Sequence, residues 1–379
     1  MIKQKRCKVC GGLLFEKPIL VLNNMPKGAQ SFLKKEELSI DRGVDLELYQ
    51  CSCCGLIQLT REPVPYYKEV IRAVAFSEEM KTFRRHQFKE FLEKYGLVGK
   101  KILEVGCGKG EFMEIMKECG ADVYGIEYGE ENVRECLKKG LKVERDFISS
   151  ENYKVENAPF DGFYILNFLE HIPYPVEFLR GIAFNLKDGG IGLVEVPNFE
   201  MCLKNKIITD FIPDHIFYFT LDTLELVLKM SGFKMIEKRF IYQDKSVISV
   251  VVKKREKIDL TEWKKNINDL RNSLENFLKK YKKEEVMVWG AGHQALAILS
   301  LTGISSKIRG VVDSAPFKQG KFTPVSHLPI YSPEVLNKFQ IKAVIVMVGP
   351  YSSEVVKILK TCYKKIKIAV VEKMSLKEL

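Results

Sequence analysis

Lys101-Ile-Leu-Glu-Val-Gly-Cys-Gly-Lys-Gly110 is the stretch on which the fold turns. An apolar run leads into a turn with glycine at every second position, the pattern of a buried strand feeding a helix that starts near Glu111. Gly106, Gly108 and Gly110 let the backbone approach a ligand closely and bend sharply. Glu104 sits at the strand end, placed to meet a cationic or hydrogen-bond-donating group. The next strand, Asp122-Val-Tyr-Gly-Ile-Glu127, ends in a carboxylate 17 residues after Gly110. In a nucleotide-binding βαβ unit that acid accepts hydrogen bonds from ribose hydroxyls.

Outward from this unit, Asp146-Phe147 follows the next strand position. Phe160-Asp-Gly-Phe-Tyr-Ile-Leu-Asn167-Phe-Leu-Glu-His171-Ile-Pro173 reads as a further strand and its loop. Asn185-Leu-Lys-Asp-Gly-Gly-Ile-Gly-Leu-Val-Glu-Val-Pro197 reads as a glycine turn before another strand. In this order the segments resemble class I S-adenosylmethionine (SAM) methyltransferases more than the dinucleotide pattern. The resemblance implies that Glu104, Gly106, Gly108, Gly110, Glu127, Asp146, Phe147 and Asn167 form the SAM site, with Asp146 at the adenine amino group.

Cys7-Lys-Val-Cys10-Gly and Cys51-Ser-Cys-Cys54-Gly are two Cys-x-x-Cys pairs, each followed by glycine. Four thiolates make the closed tetrahedral shell of a structural Zn2+ site, with Cys53 spare. Such a metal would fold a segment too small to hold itself together. Ten cysteines and an N-terminus without an apolar core point to a reducing, cytoplasmic setting rather than export. No window approaches the roughly 18 apolar residues of a membrane span. The 60 Lys and Arg against 49 Asp and Glu give a net charge of +11, scattered in pairs and triplets, which suits a small anionic ligand better than a polynucleotide.

Pattern divides the 379 residues into three domains: 1–75 with five cysteines, 76–256 with alternating helix and strand signals, and 257–379. The third opens with a polar helix from about Thr261 to Lys283, whose stripe runs from Trp263 through Leu270, Leu274 and Phe277. Val286-Met-Val-Trp-Gly290-Ala-Gly292-His293-Gln-Ala295 then repeats the strand-and-glycine-turn pattern, and Asp313 ends the following strand. The turn suits a substrate phosphate, bound by Gly290, Gly292 and His293, or NAD, or glycines serving packing alone.

The whole chain resembles the sugar C-methyltransferases of antibiotic biosynthesis. Leu22-Asn-Asn-Met-Pro26, Cys54-Gly-Leu-Ile-Gln-Leu59 and residues 312–330 carry that resemblance beyond the cysteine pairs. It implies an α/β protein: a class I SAM methyltransferase Rossmann-like core, an N-terminal zinc-binding domain and a C-terminal Rossmann-like substrate-binding domain. It further implies C-methylation next to the ketone of a nucleotide-linked keto-deoxy sugar, through an enolate generated by a base. Pro213-Asp-His-Ile-Phe-Tyr-Phe219 resembles the family's catalytic segment, making His215 the base, Asp214 its orienting carboxylate and Tyr218 a donor or packing group. His171 matches a second histidine beside the SAM sulfonium. Ile212 stands where the family has Tyr, Asp214 where it has Glu, and Arg72-Ala-Val-Ala-Phe-Ser-Glu-Glu79 where it has an aromatic-serine segment. An O-methyltransferase of a glycan or other polar metabolite is the rival enzyme; a SAM-binding, RNA-contacting protein is the rival from another class.

Overall fold

The computed structural model describes residues 5–30, 32–69 and 77–379 and forms two compact units, Met1–Glu256 and Lys257–Leu379. In the first unit, strands β1 (Leu20–Met25), β2 (Val44–Gln50) and β3 (Ile57–Leu59) form an antiparallel meander.

A larger sheet follows, built from β4 (Lys101–Val105), β5 (Asp122–Glu127), β6 (Lys142–Arg145), β7 (Phe160–Leu166) and β8 (Leu186–Pro197). Helices α1 (Glu78–Lys94), α2 (Glu111–Glu118), α3 (Glu130–Lys138) and α4 (Pro175–Phe184) alternate with these strands. After α5 (Phe199–Asn205), the short β9 (Phe217–Tyr218) and α6 (Leu221–Met230), the chain closes the sheet with β10 (Phe233–Ile241) and β11 (Val247–Lys254). The seven strands lie in the order β10-β11-β8-β7-β4-β5-β6, and β11 runs antiparallel to both neighbours. Strand order reverses between β4 and β7, so the carboxyl ends of β4 and β5 open at a topological switch point, where such sheets bind ligands.

Both faces of this sheet are covered, which is why β4 is buried almost throughout. Alternation sends Leu103 and Val105 towards Phe178, Leu179 and Leu224 of α4 and α6. Ile102 goes the other way, towards Phe88, Leu92 and Met113 of α1 and α2. Each such aromatic or aliphatic side chain contributes about 1.5–3 kcal/mol on burial. A buried ion pair, Arg84 to Glu195 at 2.7 Å, ties α1 to β8, and Gln87 and Ser249 satisfy the second carboxylate oxygen at 2.6 and 3.0 Å.

The cysteine-rich segment and the large sheet are not separable at residue 75. β9 pairs with β3 through Ile57–Tyr218 and Gln58–Phe217, giving a four-stranded sheet β1-β2-β3-β9. That pairing fixes His215, two residues before β9, against the N-terminal sheet.

The second unit begins with α7 (Thr261–Leu278). Its stripe is buried from Leu270 onward, but Trp263 is 64% exposed because only the C-terminal half of the helix lies on the sheet. β12 (Val286–Trp289), α8 (His293–Thr302), β13 (Gly310–Val312), β14 (Ile330–Tyr331), α9 (Val335–Lys338), β15 (Ala343–Val346), α10 (Ser352–Cys362), β16 (Lys367–Glu372) and β17 (Ser375–Glu378) complete it. The sheet order is β14-β13-β12-β15-β16-β17, parallel except for β17. Among the described residues no helix is long and apolar enough to cross a membrane.

Candidate active site and cysteine cluster

Each Cys-x-x-Cys pair closes a tight turn: Gly11 N–H donates to the Cys7 carbonyl at 3.0 Å and Gly55 N–H to the Cys51 carbonyl at 3.1 Å. Further amides point at sulfur, with Val9 on Cys7, Gly12 on Cys10, and Cys53 and Cys54 on Cys51, each at 3.4 Å. The Sγ atoms of Cys7, Cys10, Cys51 and Cys54 all lie within 4.8 Å of one another. Gly12 is required where the turns meet, since a Cβ there would lie 2.8 Å from Cys53 Cβ and 3.2 Å from Cys10 Sγ. Cys53 is exposed and outside the group. Four soft sulfurs supported by N–H donors fit a tetrahedral divalent ion, so the cluster is able to bind a metal.

Beyond the carboxyl end of β4, Gly110 caps α2 with φ of 77°, in the left-handed region, and a Cβ there would meet Leu141 Cδ1 at 2.4 Å. The Glu127 carboxylate is buried and folds onto the turn, accepting from Gly108 N–H at 2.9 Å, Gly129 N–H at 2.8 Å and Asn132 Nδ2 at 3.2 Å. Beside it lies a cavity of about 200 Å³, open to solvent, lined by Gly106, Glu127, Tyr128, Asp146, Phe147 and Phe168 among others. Phe147 stacks on Phe178 at 5.4 Å and takes the edge of Tyr67 at 6.0 Å, while Lys68 Nζ lies 5.2 Å from its centroid. Asp146 is exposed, with Oδ1 accepting from the Phe147 amide at 2.7 Å. An acid at the end of β5, bare backbone at the end of β4 and flat apolar walls fit a nucleoside carrying a charged tail.

Two cofactor expectations are corrected. Glu104 is turned away from this cavity: alternation along β4 puts its side chain on the α1 face, 2% exposed, where Tyr164 donates to it at 2.8 Å. Asn167 follows β7 in a left-handed conformation (φ 49°), exposed and outside the cavity lining, while the neighbouring Phe168 lines it.

His171 closes a short helical turn after β7, 6.4 Å ring to ring from Phe168. His215 lies 4.8 Å from His171, edge to face. Burial pushes both imidazoles below their usual range, His215 to about 3. Asp214 does not orient His215 through its carboxylate, which is a third correction. Its Oδ2 accepts from Ala29 N–H and its Oδ1 from the Tyr66 hydroxyl, both at 2.8 Å, tying the N-terminal segment to the histidine loop. It is the Asp214 backbone carbonyl that lies 2.9 Å from His171 Nδ1. Tyr218 donates its hydroxyl to the Ile212 carbonyl at 3.3 Å, and its ring packs on Phe211 and Phe199. Residues 72–76 of the aromatic-serine segment lie outside the described residues; Ser77 caps α1.

Sequence reading passed over Glu170, Tyr66 and Lys68. Glu170 sits beside His171 but gives no sign in sequence that its carboxyl is buried, which pushes its pKa up to about 8. Tyr66 and Lys68 reach the site only through tertiary folding.

In the second unit, Gly290 and Gly292 lead into α8, whose first residue, His293, is exposed. Asp313 accepts from Ala291 N–H at 2.8 Å and Ala315 N–H at 2.9 Å, and Lys318 Nζ sits 2.9 Å from Oδ2.

The strand order with β11 reversed, the glycine turn and the β5 acid beside a cavity define a class I SAM methyltransferase core. Residues 76–238 match the family model described as a methyltransferase domain, and residues 252–371 match the C-methyltransferase C-terminal domain. The chain thus carries the fold of a SAM-dependent methyltransferase core, followed in sequence by a second α/β unit. Among curated proteins it is similar to the ubiquinone biosynthesis O-methyltransferase of Aliivibrio fischeri, 38% identical over 100 residues that make up 25% of this chain and 43% of that protein. The counterpart of Pseudomonas fluorescens is 39% identical over 103 residues, 26% of this chain and 44% of that protein. The chain therefore spans less than half the length of these relatives. Among solved structures, a SAM-dependent methyltransferase from Clostridium acetobutylicum superposes with a TM-score of 0.39 at 16% identity, covering 50% of this chain and 96% of that one. A protein of Pyrococcus horikoshii gives 0.40 at 17% identity, covering 51% and 96%.

Proposed function

We propose that the chain transfers the methyl group of SAM to a hydroxyl of a small polar metabolite, with His215 taking the acceptor's proton. The observation that carries this reading is the half-buried His171–His215 pair, 4.8 Å apart and reached from the nucleoside cavity through Phe168. SAM bound there would supply an electrophilic methyl group. Glu127 would hold its ribose, Asp146 and Phe147 its adenine, and the turn from Gly106 to Gly110 its amino-acid end. His171, fixed by the Asp214 carbonyl, sets the position of the His215 ring. A neutral imidazole accepts a proton without first losing one.

Oxygen is preferred as acceptor because an enolate needs a donor at its developing charge. Tyr218 and Tyr66 spend their hydroxyls on Ile212 and Asp214, and the Asp214 carboxylate accepts rather than donates. The curated relatives named above are O-methyltransferases by name. A second reading, C-methylation of a nucleotide-linked keto sugar, is supported by the match of residues 252–371 to a C-methyltransferase C-terminal domain. In it residues 257–379 bind the acceptor, with Gly290, Gly292 and His293 on its phosphates. In both readings residues 1–75 hold a structural Zn2+ on Cys7, Cys10, Cys51 and Cys54, and residues 76–256 carry the chemistry.

Incubation with methyl-¹³C SAM and a panel of hydroxylated metabolites and nucleotide-linked keto sugars separates the readings. NMR places the labelled methyl on oxygen in the first and on carbon in the second. His215→Ala should slow transfer by about 100-fold or more; an unchanged rate removes it from the mechanism.

A further inference from the structure

Glu170 is 1% exposed, and its Oε2 has no hydrogen-bond partner among the described residues. A buried carboxyl left this way costs about 1–3 kcal/mol and calls for a specific explanation. Its neighbours supply one. Oε1 lies 3.9 Å from His171 Nε2, and ligand atoms of Glu170, His171 and His215 all fall within 4.8 Å of one another. His171 already has Nδ1 engaged by the Asp214 carbonyl at 2.9 Å. Such a bond fixes the ring tautomer and leaves the Nε2 lone pair for an ion, the usual outer-shell support of a metal-bound histidine. The His171 side chain is 25% exposed, so the cluster opens to solvent and an ion has a way in.

We propose that Glu170, His171 and His215 form a second metal site, separate from the cysteine cluster, for a first-row divalent cation of the Zn2+ class. Two imidazoles and one carboxylate match the borderline-soft preference of such ions, and three protein ligands leave at least one position open. Ligand atoms about 3.3 Å apart suit a tetrahedral ion with bonds near 2.0 Å, a closure that side-chain rotation can provide. The ion would explain the unpartnered Glu170 oxygen by coordinating the carboxylate. Occupancy has a chemical consequence that rests on the proposed function: the His215 lone pair can hold either the ion or the acceptor's proton. The ion therefore inhibits methyl transfer and competes with the acceptor.

The test is a Co2+ titration of the full chain followed by metal analysis after desalting. Two ions per chain are expected. One shows the intense thiolate charge-transfer absorption of a sulfur site; the other shows only weak visible bands of nitrogen and oxygen ligands. Glu170→Gln and His171→Ala should weaken the second ion at least tenfold while leaving the thiolate bands unchanged, with SAM binding as the check on folding. Should both variants fail to fold, the unsubstituted protein decides by the presence or absence of the second, sulfur-free ion. A single ion per chain, or a second ion indifferent to both substitutions, overturns the site. If the second ion binds but His215→Ala keeps its rate, the metal site stands and the base does not; if His215→Ala is inactive and only one ion binds, the reverse holds.

Discussion

Two turns of this molecule read almost alike in sequence and differ in what surrounds their acids. In the first unit a strand, Gly106 to Gly110 and a helix precede Glu127; in the second, a strand, Gly290 to Gly292 and a helix precede Asp313. Both acids fold back onto their turn, Glu127 on the Gly108 amide at 2.9 Å and Asp313 on the Ala291 amide at 2.8 Å. But Asp313 also carries a Lys318 ammonium at 2.9 Å, whereas Glu127 borders a cavity walled by aromatic rings. A glycine turn and an acid show that a strand can receive a nucleotide. The neighbours of the acid determine whether it is ready to do so.

The sharpest way to break this contrast is to remove each acid in turn. Hydrogen bonds to a charged group are worth about 1.5–3 kcal/mol each. Two to the ribose of SAM make Glu127→Ala weaken SAM binding by roughly 100-fold or more. Asp313→Ala should leave SAM affinity unchanged. Calorimetric titration with SAM measures both, and equal losses would end the distinction.

The glycines offer a second, smaller test. Alanine at Gly110 must adopt a φ of 77° and push against Leu141 and Cys136, at 2.4 and 2.9 Å. The left-handed backbone costs about 1–2 kcal/mol, and overpacking adds about 1–3 kcal/mol. Gly292 has a negative φ of −89°, and a Cβ added there would meet nothing within 4 Å, so Gly292→Ala should cost no more than about 1 kcal/mol, as a poorer helix N-cap. Urea unfolding of the two variants gives the comparison; similar losses would mean that the second turn is as tightly built as the first.

The first turn was legible in sequence because a buried parallel strand, its glycines and the acid beyond it are local features at fixed spacing. The cysteine cluster was legible for the same reason, down to the exclusion of Cys53. What could not be read was set by distant packing. Glu104 carries the right residue type on the wrong face of β4, and only the position of α1 and Tyr164 shows where that face points. Asp214 lies beside the base in sequence, yet its carboxylate partners, Ala29 and Tyr66, come from 185 and 148 residues away. The two-residue β9 is too short to show a period, and it is the strand that joins the N-terminal sheet to the histidine loop.

The least of the expected effects concerns Lys318 and has a definite sign. Burial pushes the Asp313 carboxyl up, but the Lys318 ammonium and the Ala315 and Ala291 amides outweigh it and hold the group below the usual carboxylate range. A carboxyl depressed in the folded state adds stability above its unfolded pKa, and that stability disappears as pH falls through the lower, folded value. Lys318→Met removes the main opposing charge, so the second unit should lose a few tenths to about 1 kcal/mol at neutral pH, as expected for a partly exposed pair. The gap from the unsubstituted protein should shrink below about pH 4, where Asp313 takes up its proton in both. Both tryptophans, Trp263 and Trp289, belong to the second unit, so their emission during urea unfolding reports on it alone. A gap that stayed constant from pH 7 to pH 3 would mean that Lys318 stabilises the loop by packing. Asp313 would then be held by its amides alone, much as Glu127 is held on the Gly108 and Gly129 amides, and the two turns would differ less than their charges suggest.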